Sequence, residues 1–163
     1  MQEVLLIISA WIHLFAAVVW IGGIFFILFV ALPSARKTLD QPGPLMGALG
    51  KRFVPLANMS ILLIFITGIL MTLTSHTLSE VASFSTVWSK TLSIKVITAL
   101  LMTIVHFYRG LVLTPRISKL MSDGGLSEEV SRLQRLSSNL VKTNFLFGTT
   151  VLLLTGILYA YKV

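Results

Sequence analysis

The stretch Ile12–Ile24, IHLFAAVVWIGGI, decides the fold. It lies inside an apolar run from Val4 to Leu32 in which His13 is the one strongly polar side chain. About 20 apolar residues carry a helix across a bilayer, so the run is read as a spanning helix. An ionisable side chain is costly there, and such residues ordinarily face protein and carry function. Trp20 follows His13 by seven residues and Gly23 by ten. At 3.6 residues per turn, seven steps return to within about 20° of the start. His13, Ala16, Trp20 and Gly23 therefore share one stripe. The stripe holds a ligand-type residue, small residues that admit a flat or closely packed partner, and a large aromatic between them. A plain hydrogen bond from His13 to a neighbouring helix is the structural alternative to a ligand role.

Composition agrees with a membrane location. The 163 residues are 55% hydrophobic and 12% charged, with a mean hydropathy of +0.90. Soluble domains sit at about 45–50% apolar and about 25% charged. One transmembrane domain over residues 1–163 is expected. The first apolar run lacks a basic leader and a small-residue cleavage site, so it reads as a retained helix. There is no cysteine, which excludes disulfides, thiolate metal sites and covalent c-type haem attachment. The net charge of +7 reads as membrane orientation and not as nucleic-acid binding.

Four spans follow, at about residues 4–32, 53–74, 88–114 and 141–161. Their short connections predict an all-α, integral-membrane, antiparallel four-helix bundle. Pro33 and Pro115 are expected to end the first and third helices, and Pro55 to stand in the first turn of the second. Gln41-Pro42-Gly43-Pro44 reads as a turn-rich connector, and the segment carrying His76 and Glu80 as a second loop. Ser127-Glu128-Glu129 reads as the N-cap of a short separate amphipathic helix. Basic residues cluster in the first and third connections, with Arg36, Lys37, Lys51 and Arg52 in one and Arg116, Lys119, Arg132 and Arg135 in the other. Positive residues stay inside, which predicts a multi-pass protein of the cell's inner (plasma) membrane with both termini outside.

The halves resemble each other. Thr67-Gly68-Ile69-Leu70 returns as Thr155-Gly156-Ile157-Leu158, and Pro33 with Arg36 is echoed by Pro115 with Arg116. Aligning the prolines sets His13 opposite Lys95, each 20 residues earlier. Two duplicated two-helix halves would be a parallel repeat.

A second polar stripe lies on the third helix, where Lys95, Ala99, Met102 and His106 are spaced four, three and four. Lys95 is a candidate catalytic residue, or a snorkelling anchor. His106 is a candidate metal ligand, with Arg109 one turn below as an anchor for an anionic group. No carboxylate lies within a span, which argues against proton-relay carboxylates and zinc hydrolysis. Copper accepts His and Met ligands. Haem b needs one or two axial ligands, His or Met, and basic residues for its propionates. Gly22, Gly23, Gly68, Gly148 and Gly156 offer room for a macrocycle or for close helix packing. By residue count His13 and His106 differ in depth by about 16 Å, while Met71 comes near the level of His13. Each histidine is then expected to serve a different site, or one of them to be structural, with Lys95 facing the same cavity as His13.

His13 with Trp20 and Gly23 resembles the first-helix pattern of copper-resistance protein D and of the HemJ-type protoporphyrinogen IX oxidase. Lys95 with His106, Tyr108 and Gly110 resembles the third-helix pattern of the HemJ type. Arg52, Pro55 and Gly68 are further matches, while Asn139-Leu140 stands where the HemJ type has an Asn-Glu pair. The resemblance implies b-type haem in one branch, with His13 as its ligand, and copper handling in the other. Haem contacts would fall to His13, Trp20, Gly23, Met71, Met102, His106 and Arg109, with His13 and His106 at the metal. The leading expectation is a haem b protein that transfers electrons or oxidises a porphyrinogen, with an electron partner of unknown kind. A copper transport or tolerance protein is the alternative. A third is a non-catalytic subunit of a larger membrane complex or a homo-oligomer.

Overall fold

A computed structural model describes residues 1–75, 84–124 and 128–161. Every element among them is helical. Among the described residues four helices are long and apolar enough to cross a membrane, as the composition predicts. Their exposed faces carry Leu14, Phe15, Val18, Leu62, Ile66, Ile97, Leu101, Ile104 and Leu153. In water this would be an aggregation surface, whereas lipid makes it the favoured outer face. The chain divides into two compact units, Met1–Lys90 and Thr91–Val163.

Helix α1 runs unbroken over Gln2–Thr38, five residues past Pro33, so the proline does not end it. The reason is local. Proline lacks an N–H, and its ring collides with the carbonyl four residues back in a regular α-helix. Here the turn before it, Ile27–Ala31, is wound as a π-helix, and the Leu32 N–H reaches back to the Ile27 carbonyl. A widened turn makes room for the ring and lets the helix resume. Arg36 and Lys37 then stand in the last turn, where cations suit the helix C-terminus.

Helix α2 spans Gly43–Ser75 and begins ten residues before the expected start at Phe53. Pro44 is its second residue, a position where a missing N–H costs nothing. The bond from Met46 N–H to the Pro42 carbonyl, 3.0 Å, closes the first turn. Pro55 therefore lies in the helix interior and not in the first turn. It sits at the exposed basic end beside Lys51 and Arg52, where water can satisfy the carbonyl that it leaves unbonded. His76 and Glu80 lie outside the described residues.

In the second unit and the residues just before it, helix α3 begins at Val87. Thr86 and Ser89 cap it reciprocally: Ser89 N–H donates to Thr86 Oγ1 at 3.0 Å, and Thr86 N–H donates to Ser89 Oγ at 3.2 Å. Pro115 fails to end this helix as Pro33 fails to end α1. A π-helical turn over Arg109–Leu113 precedes it, and the helix resumes over Thr114–Gly124. The Arg109 carbonyl accepts from both the Thr114 N–H and, at 2.9 Å, the Thr114 hydroxyl. In both halves the five-residue π turn ends two residues before its proline, so the backbone repeats the pattern that the prolines suggest.

Helix α4 is continuous over Glu128–Ala160, where a short helix and a separate span were expected. No proline or glycine interrupts residues 128–147, so nothing stops the helix between its polar and apolar parts. Ser127, the expected N-cap, lies outside the described residues. Arg116 Nη2 donates to Glu129 Oε1 at 2.7 Å, joining the second segment of α3 to the start of α4. Both side chains are about half exposed, and such pairs contribute about 0–1 kcal/mol. Arg116→Ala is therefore expected to lower stability by less than about 1 kcal/mol, measured by denaturation in detergent.

Candidate functional site

The first unit is an antiparallel hairpin. His13 on α1 meets Thr67 and Gly68 on α2, while Gly23 meets Phe53. Moving ten residues forward on α1 thus moves fourteen back on α2. The seam carries the stripe read from the sequence: Ala16, Trp20 and Ile24 are buried on α1, and Ala57, Ser60, Ile61 and Thr67 on α2. The flat partner of the stripe is a side chain. A Cβ on Gly23 would lie 2.1 Å from Phe53 Cε2, so the Phe53 ring occupies that space. A Cβ on Gly68 would lie 3.4 Å from His13 Cε1, so Gly68 accommodates the imidazole. Gly22 and Gly156 have nothing within 4 Å of where a Cβ would stand. In the seam between α1 and α2, side chains of the protein thus stand against Gly23 and Gly68, while Gly22 faces open space.

His13 is half-buried, with Nδ1 2.9 Å from Thr67 Oγ1. Thr67 Oγ1 in turn donates to the Leu63 carbonyl at 2.5 Å, with the Ile64 carbonyl at 3.4 Å. Ser9, one turn before His13, is also buried. Met71 stands one turn beyond Thr67, about 6 Å along the axis, on the same face of α2. An imidazole, two hydroxyls and a thioether thus lie within about one turn of each other along the hairpin. Among the described residues no three His, Asp or Glu side chains gather to hold a metal.

The second unit carries the other candidates. Met102 and His106 are 1% and 7% exposed, and Thr98 and Leu113 are buried on the same face of α3. Lys95 and Arg109 are half-buried on that face, so the expected stripe of Lys95, Met102 and His106 forms one side of the helix. Arg109 opens the π turn. The His106 ring packs edge-on against Phe107 at 5.4 Å.

Three contributors escaped the sequence reading. Thr67 was visible only as part of a repeated Thr-Gly, and its counterpart Thr155 donates likewise to the carbonyl four residues back, at 2.8 Å. Phe53 gave no signal beyond its apolarity. Asn144 on α4 is 4% exposed, and its Oδ1 is buried with no hydrogen-bond partner. A lone amide inside the last apolar span was the available sign.

The family model described as copper resistance protein D matches residues 47–158. The chain belongs to that family. The match runs from the first part of α2 to the end of α4 and includes Thr67, Gly68, Met71, Lys95, Met102, His106 and Arg109. His13 and the rest of α1 precede the matched segment. No curated protein and no solved structure matches the chain.

Proposed function

We propose that this copper resistance protein D family member handles copper within the membrane, binding Cu(I) through His13 Nε2 with the Met71 thioether as partner. The observation that carries the reading is the placement of His13, held by Thr67 at 2.9 Å on the face of α2 that also carries Met71. Imidazole and thioether are donors that suit copper, and soft thioethers favour Cu(I). A single ion fits beside a seam in which Phe53 stands against Gly23 and His13 against Gly68. Met102 and His106, buried four residues apart on α3, give the second unit the same pair of donor types. Copper is the cargo here.

The test is titration of the detergent-purified protein with Cu(I) against a chromophoric chelator, together with a visible spectrum. Stoichiometric Cu(I) uptake by a colourless protein is the expected result. A Soret band with reducible α and β bands, and no copper uptake, would move the reading to a b-type haem protein with a redox role.

The orientation belongs to the same proposal. The basic ends of both hairpins face the cytoplasm, which puts the termini outside and His13 in the outer half of α1. Cysteines introduced at Ser85 and Ser122, both exposed, report this in intact cells. A membrane-impermeant maleimide is expected to label position 85 and spare position 122. The opposite pattern would invert the topology.

A further inference from the structure

Thr67 has one hydroxyl proton, and the geometry says where it goes. An oxygen 2.5 Å from the Leu63 carbonyl oxygen must direct its proton there, since two bare lone pairs at that distance repel. Its secondary approach to Ile64, at 3.4 Å, uses the same proton. Toward His13 the Thr67 oxygen has only lone pairs left, so it accepts. The hydrogen at the 2.9 Å contact therefore belongs to His13 Nδ1. In a neutral imidazole one nitrogen carries the hydrogen and the other the lone pair. A proton fixed on Nδ1 leaves the metal-binding lone pair on Nε2.

Gly68 works with this bond. The Cε1 edge of the ring lies 3.4 Å from where a Gly68 Cβ would stand, so the ring is flanked by Gly68 as well as bonded to Thr67. The Thr67 hydroxyl is itself anchored one turn back on its own helix and does not depend on solvent. The arrangement parallels the general one in which a ligating histidine gives its other N–H to an outer acceptor that sets tautomer and ring orientation.

We propose that Thr67 is a positioning residue that holds His13 as the Nδ1–H tautomer and so puts the ring's metal-binding lone pair on Nε2. The role in copper binding rests on the proposed function, whereas the tautomer does not. The two are separated by measuring both in the same variants. Nitrogen-15 NMR of histidine-labelled, metal-free protein in detergent or lipid reads the tautomer directly, with His13→Gln used to assign its signals. Wild type is expected to show a pyrrole-type Nδ1 and a pyridine-type Nε2 at His13. Thr67→Ser keeps the oxygen and should preserve that pattern, with Cu(I) affinity within about threefold of wild type. Thr67→Val keeps the shape and removes the acceptor. It should give mixed tautomers and weaken Cu(I) by about 10- to 100-fold, the range typical of outer-shell partners. Identical nitrogen shifts in wild type and Thr67→Val, with the variant folded by its circular dichroism, would overturn the assignment. A wild type with the expected tautomer but no copper uptake would refute the copper reading and leave the clamp standing.

Discussion

Replacing His13 by alanine is expected to reduce Cu(I) affinity by more than about 100-fold while leaving the protein folded. An inner ligand should cost more than an outer partner, whose loss is typically about 10- to 100-fold. The effect on stability should be modest on the Thr67 side, because Thr67 keeps its bond to the Leu63 carbonyl. The loss of one hydrogen bond is worth about 1 kcal/mol. Competition titration with a Cu(I) chelator measures the affinity, and thermal denaturation in the same detergent measures the fold. Met71→Leu preserves volume and removes the sulfur, so it is expected to weaken copper without altering stability. Unchanged affinity in His13→Ala would remove the residue from the site.

The largest effect on stability is expected at Gly23. A methyl there would stand 2.1 Å from Phe53 Cε2 and 2.6 Å from Cζ, well inside contact distance, on a ring that has to shift as a rigid plate. Overpacking of this kind typically costs about 1–3 kcal/mol. Gly23→Ala should therefore lower the unfolding midpoint, and Gly23→Leu should prevent the hairpin from closing. Phe53→Ala in the Gly23→Ala background should recover much of the loss, giving a coupling energy that separate effects would not show. Gly68→Ala is the control, since its methyl would make an ordinary 3.4 Å contact with His13 Cε1. It is expected to cost much less. Equal losses at Gly23 and Gly68 would contradict the packing described for the seam.

The number of spans and their helical type were legible because membrane spans announce themselves by length and apolarity. The stripe of His13, Ala16, Trp20 and Gly23 was legible because helical periodicity places those positions together whatever lies opposite. Helix ends were less legible. Pro33 and Pro115 read as terminators because the rule assumes a regular α-helix, and the π turns at Ile27–Ala31 and Arg109–Leu113 remove that assumption. The union of the polar and apolar parts of α4 was hidden for a different reason. A change in hydropathy resembles a boundary, yet the backbone needs a breaker to stop, and none lies there.

The partners across the seam were the least legible part. That Phe53 fills the space at Gly23 depends on the register of α2 against α1, which the early start of α2 at Gly43 conceals from pattern reading. The Thr67 bond to His13 depends on the same register. Residues on one helix face can be grouped from spacing, whereas a pair 54 positions apart needs the fold.

The most direct test of His13 as a copper ligand is X-ray absorption at the copper K-edge of the Cu(I)-loaded protein, compared with His13→Ala. The account predicts imidazole scattering together with a copper–sulfur shell in wild type, and loss of the His13 contribution to the imidazole signal in the variant. A wild-type spectrum with no imidazole scattering, or one identical in the variant, would contradict it.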